Sequence, residues 1–184
     1  MKFNTLTSLF LLLGCLALFP GNAPSVELPT AAPSFRISNL EGKRFDSRNM
    51  AGQSVVLSFF YTGCAPCVRE MPALYGFMKE QGALDRLLFV DSYVDGLGIA
   101  DAPDTELKIR KFAERLKIPS ANLYHDTIGT LARKIAGTGV FTEAEKLGVL
   151  LSFPTIVVIN GQGQIVYVLE GSRESFLKEI QPLL

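Results

Sequence analysis

A chain of 184 residues holds one ordinary domain plus a targeting segment, and 48% hydrophobic with 20% charged residues is a normal balance for a soluble globular protein. Eighteen basic residues cancel eighteen acidic ones, with no basic stripe to mark a nucleic-acid partner and no polybasic cluster to mark an anionic membrane surface. Electrostatics therefore selects no partner.

Lys2 and a short polar stretch precede an almost wholly apolar run over 6–19, which ends at Pro20-Gly21-Asn22-Ala23-Pro24-Ser25. A weakly positive start, a short apolar run and a small-residue tail are the layout of a secretory signal. The run is shorter than the ~20 residues that span a bilayer as a helix. Residues 1–25 are read as a signal peptide cleaved after Ser25, with a retained N-terminal membrane anchor as the alternative. Leu12-Leu13-Gly14-Cys15 has the form of a bacterial lipidation box, but the apolar run continues through Leu16, Ala17, Leu18 and Phe19, which puts Cys15 inside the signal core. Export leaves Cys64 and Cys67 in an oxidising compartment, where a lone pair is disulfide-bonded unless a partner reduces it.

Residues 26–33, rich in Pro, Ala and Thr, read as a linker, and 34–184 as the folded domain. Alternation over 35–38, a Gly turn over 39–43 and Arg44-Phe45 predict a small hairpin. The apolar run over 54–61 predicts a strand buried on both faces. Thr62-Gly63 turns the chain, and Cys64 opens a helix with Val68, Met71, Leu74, Tyr75 and Met78 at helical spacing and Pro72 inside it as an expected kink. A second buried strand is expected over 87–93. The loop over 95–104 follows, and its Asp95, Asp101 and Asp104 lack the calcium-loop spacing.

An amphipathic helix is expected over 105–117, with Leu107, Ile109, Phe112, Ala113 and Leu116 apolar and Thr105 as its N-cap. A short strand over 122–124 and a helix over 128–135 come next. Residues 137–150 enlarge the following link, with a helix start at Thr142-Glu143-Ala144-Glu145. Apolar runs over 155–159 and 164–169, joined by Asn160-Gly161-Gln162-Gly163, predict a hairpin, and 175–180 a closing helix. Strands separated by helices and closed by a hairpin and helix describe a three-layer α/β sandwich with a mixed sheet.

Two cysteines separated by two residues at a helix start can close a small disulfide ring and reopen it. The attacking species is a thiolate, which the unsatisfied N–H groups and dipole of a helix N-terminus favour. Cys64 is the expected exposed nucleophile. Cys67, one turn deeper, would attack the mixed disulfide and release the reduced partner. Pro66 suits the first helical turn, where its missing N–H costs nothing. A zinc site needs four ligands as a rule, and the mature chain offers two cysteines and His125. An inert structural disulfide closing so short a loop would stabilise little.

The segment from Ser58-Phe59-Phe60-Tyr61-Thr62-Gly63 through Cys64-Ala65-Pro66-Cys67 to Val68-Arg69-Glu70-Met71-Pro72 resembles the active-site segment of the thioredoxin superfamily. Cys-x-Pro-Cys followed by Glu-Met-Pro is typical of the exported TlpA/ResA-like branch. The resemblance covers about 34–184 and implies a thioredoxin-like fold with an N-terminal hairpin and an extra strand–helix insertion. Phe153-Pro154-Thr155 matches the family's cis-proline, which faces the disulfide and helps dock an extended substrate. Ala65, Pro66, Phe153 and Pro154 are accordingly the expected substrate-binding residues. Gly63 stands where the family often has Trp, and Ser58 where thioredoxins place a buried Asp.

Members of this branch are mostly extracytoplasmic reductants. By resemblance, the expected partners are disulfide-containing proteins, apocytochrome c or copper-site proteins among them, together with a membrane thiol-disulfide electron carrier. The expected location is the periplasm, soluble or tethered to the inner membrane, and no cofactor or metal is called for. Glu70 reads as an exposed helical residue and His125 as a loop or capping histidine. Two other functions fit the sequence less well. A Sco-type copper protein is suggested by Phe60-Tyr61-Thr62-Gly63-Cys64 and His125, but Sco cysteines have three residues between them and this chain has two. A thiol peroxidase needs Thr and Pro where this chain has Tyr61 and Leu57.

Overall fold

A computed structural model describes residues 27–50, 52–92, 104–141 and 152–184. The signal and lipidation-box readings, the end of the 87–93 strand, Asp95 and Asp101, and the helix start at 142–145 lie outside these residues.

The run that leads to the cysteines forms β4 (Val55–Phe60), buried at every position. It sits between β5 (Leu87–Asp91), which runs parallel to it, and β7 (Thr155–Ile159), which runs antiparallel. Together with β1 (Thr30–Ala31), β6 (Leu123–His125) and β8 (Gln164–Glu170) they make one mixed sheet in the order β1-β8-β7-β4-β5-β6. The expected hairpin is β2 (Arg36–Ser38) paired with β3 (Arg44–Asp46), and Asn39 bridges it to Tyr124 of β6.

Strand alternation sorts the core into two layers. Val56 and Phe60 of β4 pack with Met71, Leu74 and Met78 of α1 (Ala65–Glu80), Ile109 and Phe112 of α2 (Glu106–Arg115), and Phe176 and Ile180 of α4 (Phe176–Ile180). Val55, Leu57 and Phe59 pack on the other side with Leu131 and Ile135 of α3 (Thr130–Ala136) and with Phe35 and Phe45 of the hairpin segment. This is the three-layer sandwich expected from the element order.

Three local expectations change. The 26–33 stretch is not all linker, because Thr30 and Ala31 pair with Ile165 and Gln164 at the sheet edge. Val68 and Leu107, assigned to buried stripes, are 49% and 62% exposed, so α1 buries the Cys67, Glu70, Met71, Leu74, Met78 stripe and α2 buries Ile109, Phe112 and Ala113. The helix expected from 128 starts instead at Thr130, because Gly129 takes a left-handed φ of 66° and the Asp126 carboxylate accepts the Leu131 and Ala132 N–H groups. Helix α1 runs on through Pro72. Thr105 caps α2 as expected, its hydroxyl accepting the Lys108 N–H at 3.3 Å.

The turn between β7 and β8 is held by Asn160, whose Oδ1 accepts the N–H groups of Gln162 and Gln164 at 3.0 and 2.9 Å. Gly161 packs directly on the Gly52 backbone, where an added Cβ would lie 2.5 Å from the Gly52 carbonyl carbon. Backbone cannot yield there as a side chain would. Gly161→Ala is expected to cost about 1–3 kcal/mol, read as a lowered midpoint in thermal or denaturant unfolding.

Candidate functional site

The Tyr61–Cys64 turn delivers the first cysteine to the start of α1. The Cys64 N–H donates to the Tyr61 carbonyl at 3.1 Å. Cys64 is the N-cap of α1, its Sγ accepting the Cys67 N–H at 3.2 Å, and Pro66 occupies the first turn. One orphan donor of the helix start is thus already aimed at this sulfur, the geometry that stabilises a thiolate there. Cys64 and Cys67 are joined in a disulfide, with Cα atoms 5.3 Å apart.

Both cysteines are almost fully covered in this oxidised state, Cys64 at 2% and Cys67 at 0% relative exposure. The expected contrast between an exposed and a deeper cysteine is therefore slight here. Ala65 is exposed beside them and Pro66 half-buried.

The Phe153–Pro154 peptide bond is cis, as the resemblance implied. Pro154 is buried at the start of β7, and the Phe153 ring meets the Tyr61 ring edge-on at 5.1 Å. That contact brings the Phe153-Pro154 segment against the turn carrying Cys64, so all four expected docking residues belong to one neighbourhood. A Cβ at Gly63 would lie 2.6 Å from Tyr61 Cε2, so the tyrosine ring fills the space beside residue 63.

Glu70 departs from its expected exposure. It is buried at 4%, and the Ser172 hydroxyl donates to its Oε1. Arg69 donates to the same hydroxyl at 2.9 Å and lies 3.6 Å from Glu70 Oε1. Glu70 Oε2 has no hydrogen-bond partner among the described residues. The sequence signal for burial is its spacing, since Glu70 follows Cys67 by one turn in the stripe continued by Met71, Leu74 and Met78. Ser58, in the place of the thioredoxin Asp, is buried at 1%.

A second polar group is assembled only by the fold. Asp91 ends β5 beside Phe60, is buried at 1%, and lies against the Asp104 carboxyl group. Asp104 in turn accepts the Thr62 N–H and hydroxyl, both at 2.7 Å, and the Lys108 ammonium at 2.5 Å. Burial, then the charge of Asp104 and the hydrogen bond with it, push the Asp91 carboxyl up to about 9.

His125 lies with its Nε2 at 3.8 Å from Asp91 Oδ1. Among the described residues no group of three or more His, Cys, Asp or Glu side chains is arranged to hold a metal ion, so His125 is not assembled with the cysteines into a copper donor set. Nor is any helix of the described residues long and apolar enough to cross a membrane.

Comparison with known proteins converges on the same arrangement. The AhpC/TSA family matches residues 28–168. The thiol-disulfide oxidoreductase ResA of Bacillus anthracis is 30% identical over 175 residues, covering 89% of this chain and 84% of that one. A thiol:disulfide interchange protein of the thioredoxin family from Chlorobium tepidum superposes with a TM-score of 0.64 at 24% identity, covering 86% of this chain and 98% of that one. BsSco, of the Sco family of cytochrome c oxidase assembly proteins, reaches a TM-score of 0.57 at 15% identity, covering 87% and 96%, a likeness of fold alone.

Proposed function

The chain belongs to the AhpC/TSA family, as a thioredoxin-fold thiol-disulfide oxidoreductase, and from that premise we propose that it works outside the cytoplasm as a reductant of disulfides in partner proteins. The observation that carries this reading is the Cys64–Cys67 disulfide capping α1 beside the cis-Pro154 segment. In the reduced enzyme the Cys64 thiolate attacks one sulfur of the partner disulfide. A mixed disulfide forms and the other partner sulfur leaves as a thiolate, which takes a proton from water. Cys67 then attacks the Cys64 sulfur, closing the Cys64–Cys67 bond and releasing the second partner thiolate. Two electrons pass to the partner, and a membrane thiol-disulfide carrier supplies two more by reducing the Cys64–Cys67 disulfide back to the dithiol.

Glu70 supplies what Ser58 lacks. A hydroxyl only relays a proton, whereas a carboxylate one turn beyond Cys67 can accept the proton that Cys67 loses before attacking. Glu70→Gln is expected to slow that second step roughly tenfold or more, while Cys64 still forms the mixed disulfide. Rapid acid-quench kinetics separate the two steps, and equal slowing of both would remove Glu70 from this role.

Ala65, Pro66, Phe153 and Pro154 form the docking neighbourhood in this reading, and a partner's extended chain lies along the start of β7. Apocytochrome c and copper-site proteins are the substrate classes proposed, and the apolar N-terminal segment directs export to the periplasm. Thiol trapping in intact producing cells, followed by fractionation, tests direction and place together. A reduced Cys64–Cys67 pair in the extracytoplasmic fraction is expected. A pair oxidised at steady state, or a protein confined to the cytosol, contradicts the proposal.

A further inference from the structure

The carboxylates behind the Cys64 turn have no part in the exchange steps, yet they grip the turn directly. As two ionised groups, Asp91 and Asp104 could not donate to one another, and Asp91 Oδ2 is buried with no hydrogen-bond partner among the described residues. One proton between them turns this contact into a hydrogen bond. Asp104 then keeps both its bonds to Thr62, at 2.7 Å each, and Thr62 lies inside the turn closed by the Cys64 N–H on the Tyr61 carbonyl.

We propose that Asp91 and Asp104 hold one proton between them and act as positioning residues, clamping Thr62 so that the turn presents Cys64 at the start of α1. The proposal rests on Cys64 being the exchanging sulfur.

The surrounding charges agree with one shared proton. Lys108 reaches Asp104 at 2.5 Å, so a protonated Asp91, an ionised Asp104 and a cationic Lys108 leave no net charge in the group. Asp126, engaged in capping α3 and accepting the Ser92 hydroxyl at 3.1 Å, adds negative charge that disfavours a second anion at Asp91. Among the described residues His125 also faces the pair, 3.8 Å from Asp91 Oδ1. Burial raises the Asp104 carboxyl too, but hydrogen bonds from Lys108, from the Thr62 N–H and hydroxyl, and from Asp91 outweigh it and leave Asp104 below the usual carboxylate range. The proton therefore resides on Asp91. When it leaves as pH rises through about 9, two buried anions repel and the grip on Thr62 loosens.

Carbon-detected NMR of the oxidised protein between pH 3 and 10.5 tests this, because disulfide-bonded cysteines do not titrate. Thr62 and Cys64 signals are expected to shift together with a one-proton midpoint near pH 9. Asp91→Asn, whose amide donates to Asp104 at every pH, is expected to abolish that transition. Absence of the transition in the wild type, or its persistence in Asp91→Asn, overturns the proposal. Should the variant fail to fold, the wild-type side-chain carboxyl signals decide. Asp91 titrating in step with Thr62 supports the clamp, and Asp91 titrating in the ordinary range near pH 4 overturns it.

Exchange rates give the functional readout. With one small disulfide as the common substrate, the ratio of the Asp91→Asn rate to the wild-type rate is expected to rise severalfold between pH 8 and 10, and a flat ratio counts against positioning. Spectral transitions without any exchange would instead sink the oxidoreductase reading while leaving the carboxyl pair intact.

Discussion

Cys64→Ser is expected to reduce disulfide exchange to the uncatalysed background, whereas Cys67→Ser is expected to stop after half a cycle. The two outcomes differ because the sulfurs have different tasks. Cys64 caps the helix and receives the Cys67 N–H, so its thiolate is the stabilised one and forms the bond to the partner. A serine hydroxyl keeps the cap but is far too weak an acid to attack a disulfide at neutral pH. Cys67 only resolves the mixed disulfide. Its serine variant should accumulate a covalent adduct with the partner, seen as a band on non-reducing gels that dithiothreitol removes. Normal turnover by Cys64→Ser, or adduct formation by that variant in place of Cys67→Ser, would reverse the assignment.

The second large effect concerns stability against pH. Asp91 is raised in the fold from its ordinary value of 3.8 to about 9, so the folded chain holds a proton that the unfolded chain has lost. The contribution of this group is fully present below about pH 4 and declines as pH rises toward 9, with a limiting slope of about 1.4 kcal/mol per pH unit. Asp91→Asn removes the titration and preserves a donor to Asp104. It is therefore expected to unfold at nearly the wild-type temperature near pH 4 and at a clearly higher one at pH 8, with the gap widening steadily between. Each kcal/mol corresponds to about 3 °C in a domain of this size. Thermal unfolding followed by circular dichroism checks this, and a gap that stays constant or narrows with pH contradicts it.

The sequence made the local features legible and left the distant ones obscure. Cys64 at a helix start, the Thr105 cap and the Asn160–Gly163 turn each depend on neighbours along the chain, and each is found where expected. The cis bond at Pro154 follows from the resemblance alone, since nothing local distinguishes it from a trans proline opening a strand. Helix phase was harder. A stripe drawn through Val68 leaves Glu70 outside, and shifting it to Cys67 encloses Glu70 with Met71 and Leu74. Thr30-Ala31 is too short for a periodic signal, and its strand exists because β8 offers an edge to pair with. The Asp91–Asp104–Thr62 contacts join three separate segments, brought together only when β5 pairs with β4 and α2 packs over their ends. No spacing rule reaches across such distances, and from the sequence Asp104 is simply part of a polar loop.

The claim on which everything else depends is that Cys64 and Cys67 form a reversible two-electron couple poised for reduction of partners. Equilibrating the purified domain with glutathione or dithiothreitol buffers and quantifying the two thiols measures it directly. A single two-electron transition near the potential of thioredoxin, about −270 mV, is the expected result. A potential near about −120 mV would mark a dithiol oxidant and contradict the proposed direction of electron flow, and the absence of any reversible couple would contradict the exchange chemistry itself.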